Sequence, residues 1–260
     1  MVEVRSGLSA SLAGLVVLLA VLEASPGTGL LGWATGLACG LVLCVGAARC
    51  AASGGVESFG PADLVTIARA TLSCGVAALV ADSFVGAGSV GTQTAIVGIA
   101  TVALLLDAVD GRVARLTRTV SGFGARLDGE ADAFLMLVLS LYVSGSVVAA
   151  SAGAGALVIG VLAVGAMRYL FAMAGWVLPW MTAQLPPRYW RKVVTATAGI
   201  SLVLAAADVA ASEATYAALG IALVLLLESF GRDVWWLWWR RPDASGDHSR
   251  EATPARVALR

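Results

Sequence analysis

The residues of this chain best suited to chemistry are four aspartates in the segment 107–132, which reads DAVDGRVARLTRTVSGFGARLDGEAD. On a helix, the first part of the segment forms one stripe at positions i, i+3, i+4, i+7 and i+8, made by Asp107, Asp110, Gly111, Ala114 and Arg115. A second stripe at i, i+4 and i+8 consists of Gly124, Asp128 and Asp132. Two helices that face each other would therefore bring four carboxylates together.

Such a group of carboxylates is best explained by a bound cation. Four anions in a partly dry cleft repel one another and tend to take up protons, and a divalent cation removes that conflict. Oxygen-only ligands favour magnesium, manganese or calcium. We predict a metal site formed by Asp107, Asp110, Asp128 and Asp132, with Mg2+ or Mn2+ as the cofactor.

Three further interpretations of the same acids stay open. They could be helix-end acids paired with neighbouring arginines, namely Arg112, Arg115, Arg118 and Arg126. They could belong to a divalent-metal transporter, although transporters usually hold such acids near mid-bilayer on broken helices. Here the acids lie toward one side, among arginines that would repel a passing cation. The chain could also be a catalytically silent membrane scaffold.

The elements that must position these acids are membrane helices. The chain is 59% hydrophobic and 13% charged, whereas an ordinary soluble chain is about 25% charged. Its mean hydropathy is +0.87, so much of its surface must face lipid. Apolar runs long enough to cross a bilayer recur near 8–23, 29–48, 64–81, 94–110, 131–149, 154–172, 193–209 and 213–230. We predict an all-α, polytopic membrane helix bundle.

The placement of charge predicts the orientation of these spans. Four connecting segments contain no Lys or Arg, near 24–28, 82–93, 144–153 and 207–214, and all 17 basic residues lie on the other side. Basic residues collect on the cytoplasmic side, so we expect eight spans with both ends cytoplasmic, in the cell membrane. The first run could instead be a cleaved signal peptide, with Arg5 before its apolar core.

Composition also excludes several classes of function. The net charge is zero, which gives no basic field for nucleic acid. The one histidine, His248, lies in a polar tail, which argues against histidine-based catalysis. The cysteines lack a CxxC pair and are best explained as apolar packing residues.

The C-terminal part of the chain is expected to lie outside the bilayer core. We expect a cluster of tryptophans at the membrane interface just after the last span, formed by Trp235, Trp236, Trp238 and Trp239. We expect Arg240–Arg260 to form a disordered tail.

The acidic segment resembles the signature of the CDP-alcohol phosphatidyltransferases, D-x2-D-G-x2-A-R-x8-G-x3-D-x3-D. The fixed positions agree without a gap at Asp107, Asp110, Gly111, Ala114, Arg115, Gly124, Asp128 and Asp132. Upstream, family members often carry Pro-Asn or Pro-Asp, two apolar residues and a Thr. Here the chain has one residue inserted after Pro61, followed by Asp63 to Thr66. Asp63 could also be the N-cap of the span that it precedes, and the two roles can coexist.

The resemblance covers roughly 60–230 and implies a six-helix bundle with a cytoplasm-facing cleft, often a homodimer. It implies binding of a CDP-alcohol, commonly CDP-diacylglycerol, and release of CMP. We therefore expect a two-span N-terminal extension at 1–59, a six-span core at 60–232, and the tryptophan cluster with the tail at 233–260.

The resemblance also suggests a role for each motif residue. Asp107, Asp110 and Asp128 would hold the metal, and Asp132, a fourth ligand, would act as the catalytic base. The CDP-alcohol would contact Asp63, Leu64, Val65, Thr66, Gly111, Ala114, Arg115 and Ser121. A phosphate on the acceptor alcohol would be bound by Arg168, Arg188, Arg191 and Lys192, although these could equally be ordinary charges flanking the spans. The sequence does not choose among acceptors.

Overall fold

The structure is a computed structural model that describes residues 2–25, 27–86, 89–117, 122–150, 155–182, 189–207 and 212–240. Of residues 108, 110–117, 150, 179, 182 and 189 it describes the backbone alone. Within these ranges the helices are α1 (Val4–Ala24), α2 (Leu30–Ser53), α3 (Pro61–Ser83), α4 (Val90–Thr117), α5 (Gly122–Ala150), α6 (Gly155–Val177), α7 (Tyr189–Ala207) and α8 (Glu213–Trp239). A 3-10 turn covers Pro179–Thr182, and strand β1 (Val2–Glu3) pairs antiparallel with β2 (Ser58–Phe59).

The prediction of an all-α membrane bundle is confirmed. Eight helices in the described part of the chain are long and apolar enough to cross a membrane. The protein is therefore an integral, multi-pass membrane protein.

Helix α3 lies at the centre of the bundle and packs against α1, α2, α4 and α5. Its buried face is rich in small residues, including Ala70, Ser73, Cys74 and Ala78. Small side chains allow helix backbones to approach closely in lipid, where tight packing replaces the hydrophobic drive for association. Side chains that α3 projects toward α4 and α5 are consequently held in a rigid setting.

The two N-terminal helices are integrated with this core. Ser11 of α1 is 2.8 Å from Thr71 of α3, hydroxyl to hydroxyl. The carboxylate of buried Asp82, on α3, accepts hydrogen bonds from the N–H groups of Gly29 and Gly32 at 2.7 and 2.8 Å. It thus caps the start of α2 from a neighbouring helix.

The prediction that Asp63 is an N-cap is wrong in position. Helix α3 begins at Pro61 and its N-cap is Gly60, so Asp63 lies inside the first turn. Proline suits the first helical position because its missing N–H needs no partner there. The Asp63 carboxylate nevertheless accepts a hydrogen bond from the Gly60 N–H at 2.8 Å, which stabilises the same helix end from within.

The tryptophan cluster lies in the last turns of α8, which continues beyond the predicted apolar run as far as Trp239. Near this end of the helix, Asp233 is buried and paired with Arg191 of α7. The rings of Trp235, Trp238 and Trp239 are exposed at this helix end, as an interfacial position requires. The predicted tail beyond Arg240 lies outside the described residues.

Candidate active site

The two aspartate stripes lie on neighbouring helices. Helix α4 continues beyond its apolar part to Thr117 and contains the whole first stripe, and α5 begins at Gly122 and contains the second. Both helices pack against α3. One carboxylate oxygen from each of Asp107, Asp128 and Asp132 lies within 4.8 Å of the other two. The predicted meeting of the stripes is therefore present for these three aspartates.

Several motif residues can be placed only by their backbone. Asp110, Gly111, Ala114 and Arg115 are helical residues of α4, with side chains outside the described part of the structure. Ser121 lies outside the described residues altogether.

Arg69 of α3 joins the three described aspartates. Its Nη1 is 3.0 Å from the Asp107 carboxylate and 2.5 Å from that of Asp128, and its Nη2 pairs with Asp132. The arginine side chain is 2% exposed, whereas the three carboxylates are 22–39% exposed. The planar fork of a guanidinium suits contacts with several carboxylates at once. Arg69 therefore holds the carboxylates from the buried side of the cluster, while the opposite side of the carboxylates stays accessible to solvent.

The charge of this cluster fits a divalent cation. Three carboxylates at −3 and one guanidinium at +1 leave a formal charge of −2, which one divalent cation balances. Hard carboxylate oxygens are the ligands that Mg2+ and Mn2+ prefer. The residues present thus fit the predicted metal.

Arg69 was not predicted as a site residue, although the sequence holds a signal for it. It lies within the apolar run 64–81, and an ionisable residue inside a membrane span marks a functional site by default. Its three partners are far away in sequence, so spacing alone could not pair them.

The predicted nucleotide segment lies one to two turns from Arg69 on the same helix. Asp63, Thr66 and Arg69 are spaced i, i+3 and i+6, so they follow one face of α3. Asp63 and Thr66 are buried, and the Thr66 hydroxyl donates to the Ala62 carbonyl at 3.2 Å. Val65 is half-buried, as is Leu64, which packs against apolar residues of the N-terminal extension. These residues extend the aspartate site toward the start of α3.

A cavity of about 290 Å³ lies beside Asp132. Its polar lining includes Glu130, Arg168, Arg191 and Asp233. Arg168 pairs with Glu130 at 2.7 Å, and the Arg191 Nε lies 2.9 Å from the buried Asp233 carboxylate. The cavity is thus a small chamber with two ion pairs in a mostly apolar lining, and it adjoins one carboxylate of the cluster.

Two of the four predicted phosphate ligands line this chamber. These are Arg168 and Arg191, each already paired with an acid. Lys192 is exposed, and the described lining does not include it. Arg188 lies outside the described residues. The partners Glu130 and Asp233 were missed by sequence reasoning, because they come from α5 and from the end of α8.

The family model described as CDP-alcohol phosphatidyltransferase matches residues 60–228. The chain belongs to this family. The match starts one residue before α3 and ends within α8, so the CDP-alcohol phosphatidyltransferase region includes every residue of the aspartate cluster. No curated protein and no solved structure gives a significant match to the chain. Members of the family bind a CDP-alcohol and an alcohol acceptor, and they transfer a phosphatidyl group with release of CMP.

Proposed function

We propose that this protein transfers a phosphatidyl group from CDP-diacylglycerol to the hydroxyl of a small acceptor in phospholipid biosynthesis. The observation that carries the proposal is the convergence of Asp107, Asp128 and Asp132 within 4.8 Å, from two helical stripes that match the family signature. A scaffold protein would not need this arrangement.

Metal dependence is part of the proposal. Asp107, Asp110 and Asp128 would hold one or two Mg2+ or Mn2+ ions, with Asp132 as a further ligand. When bound, the metal would neutralise negative charge on the pyrophosphate oxygens. Arg69 would keep the carboxylates in register before and after turnover, because its contacts come from the buried side of the cluster.

The remaining chemistry is assigned to side chains of this chain. The acceptor oxygen would attack the phosphorus that carries the diacylglycerol, a new P–O bond would form, and the P–O bond to CMP would break. Asp132 would take the proton of the attacking hydroxyl, because it is the carboxylate of the cluster that also lines the adjacent chamber. Asp63–Thr66, Gly111, Ala114, Arg115 and Ser121 would contact the CDP part.

The chamber beside Asp132 is proposed as the acceptor site. Its volume of about 290 Å³ suits a small alcohol and not a second two-chain lipid. Arg168 and Arg191 would bind a phosphate on that alcohol, with Glu130 and Asp233 aligning them until the ligand arrives. The orientation that we propose places this side of the bundle in the cytoplasm of the cell, and we propose a homodimer.

One assay tests the reaction and the metal together. Purified protein is mixed with CDP-diacylglycerol, Mg2+ and, in turn, glycerol 3-phosphate, inositol phosphate, inositol and serine, and CMP release is followed. We expect turnover with a phosphorylated polyol, its loss on chelation, and its loss in Asp128→Asn. Glu228→Gln, at a half-buried acid of α8 outside the aspartate cluster, is the matched control. Metal flux into sealed vesicles without CMP release would favour a transporter instead.

A further inference from the structure

An apolar cleft of about 490 Å³ lies between α2 and α5. Helix α2 supplies one wall, on which Ala38, Val42 and Gly46 are exposed. Phe123 and Phe134 of α5 lie on the opposite wall. The α2 wall precedes the region matched by the family model, so this cleft depends on the N-terminal extension.

The cleft adjoins the aspartate site. Leu127 and Ala131 in its wall come directly before Asp128 and Asp132, and Ala70 follows Arg69. At the start of α5, the lining also includes the charged residues Arg126 and Glu130, whereas its deeper part is apolar. A molecule with a charged head at the aspartates and a hydrocarbon tail would match this gradient.

We propose that the cleft holds one hydrocarbon chain of the CDP-linked lipid during the reaction, which rests on the proposed function. The volume of the cleft is enough for about 16 methylene groups of one hydrocarbon chain. This count takes a methylene group to be about as large as a water molecule, at roughly 30 Å³ each. A transmembrane helix is about 10 Å across, so the same volume would hold only about one helical turn. The cleft can therefore take in a chain, whereas a partner helix could at most lie against its mouth.

We expect the cleft to position the lipid substrate, more than to increase its affinity. Lipid tails are as apolar as the cleft, so moving a chain from the bilayer into it gains little from the hydrophobic effect. Holding the chain instead fixes how far the attached phosphate can move from the carboxylates, and alignment of reacting groups accelerates transfer. The N-terminal extension would thereby contribute to the use of long-chain substrates.

Gly46→Leu tests this proposal by filling the cleft. Among the described residues, no atom lies within 4 Å of a Cβ placed on Gly46, so a larger side chain can enter the open space. Gly14 of α1 is exposed and has equally open surroundings, which makes Gly14→Leu the matched control. Ala38→Phe, elsewhere in the same wall, provides a second filling variant.

The first readout is photolabelling by CDP-diacylglycerol that carries a diazirine on one acyl chain. We expect labelled peptides from residues 38–47 in the wild type and in Gly14→Leu, and loss of that label in Gly46→Leu. The second readout is CMP release. We expect kcat/KM for long-chain CDP-diacylglycerol to fall about tenfold or more in Gly46→Leu and Ala38→Phe. A short-chain analogue should be used at the wild-type rate, which also shows that the variants fold.

Each outcome separates the two proposals. CMP release with no label in 38–47, or equal long-chain activity in Gly46→Leu and Gly14→Leu, would overturn the chain-binding cleft alone. Labelling of 38–47 without CMP release from any CDP-lipid would overturn the proposed function and leave the cleft in place. Neither label nor CMP release in the wild type would overturn both.

Discussion

Replacement of Arg69 by methionine tests whether this residue and a metal ion share the aspartate cluster. The side chain is 2% exposed and contacts three carboxylates, so its loss leaves several negative charges close together. Breaking a buried ion pair costs about 3–5 kcal/mol. Because the carboxylates are 22–39% exposed, solvent screens part of this loss and we take the lower end.

A loss of about 3 kcal/mol lowers the Tm of a chain of this size by about 6–12 °C. We expect that decrease for Arg69→Met in chelator. Saturating Mg2+ should restore much of it, because the bound cation neutralises carboxylates that the guanidinium no longer pairs. The measurement is the Tm of detergent-purified protein with Mg2+ and with chelator. Arg232→Met, which removes an exposed pair with Glu228, is the control and should change the Tm little.

The reasoning would be refuted by an equal gain in Tm from Mg2+ in wild type and Arg69→Met. It would also be refuted by an unchanged Tm of Arg69→Met in chelator. The first result would mean that the cation and the arginine do not neutralise the same carboxylates, and the second that the three contacts contribute nothing to stability.

Three further predictions follow from the site and the charge pattern. Asp132→Asn should keep binding of CDP-diacylglycerol, measured by equilibrium binding, while CMP release is lost; near-normal turnover would disprove its role as the base. Arg168→Ala should raise the KM for a phosphorylated acceptor about tenfold or more, because a hydrogen bond to a charged group is lost. The control Lys192→Ala should leave this KM unchanged. An equal rise in KM in the two variants would show that Arg168 does not bind the acceptor. Cysteines introduced within 82–93 should react with an impermeant reagent outside intact cells, and those within 111–127 should not; the opposite pattern would invert the orientation.

Much of the fold could be predicted because its signals are local. Long apolar runs identified every span, and the regular spacing of the aspartates identified two helical stripes before any contact was known. Helix ends were less predictable. Pro61 starts α3 earlier than the hydropathy of the segment indicates, and α8 continues past the charged residues Arg232 and Asp233 to Trp239.

The contacts that complete the site depend on tertiary structure and could not be read from spacing. Arg69 meets partners from two other helices, although its position inside a span marked it as unusual. The pairing of Arg168 with Glu130 likewise joins two helices. The cleft between α2 and α5 arises only from how the N-terminal extension packs on the core.

The most direct test of the central claim is to follow the oxygen of the attacking hydroxyl. Glycerol 3-phosphate labelled with ¹⁸O at its free primary hydroxyl, or another acceptor that supports turnover labelled likewise, is incubated with CDP-diacylglycerol, Mg2+ and the wild-type protein. Mass spectrometry then locates the label. The proposed mechanism predicts that the label appears in the new phospholipid, that CMP is unlabelled, and that both products are absent with Asp128→Asn. Label in a CMP ester of the acceptor, with release of phosphatidate, or labelled phospholipid formed equally well by Asp128→Asn, would contradict it.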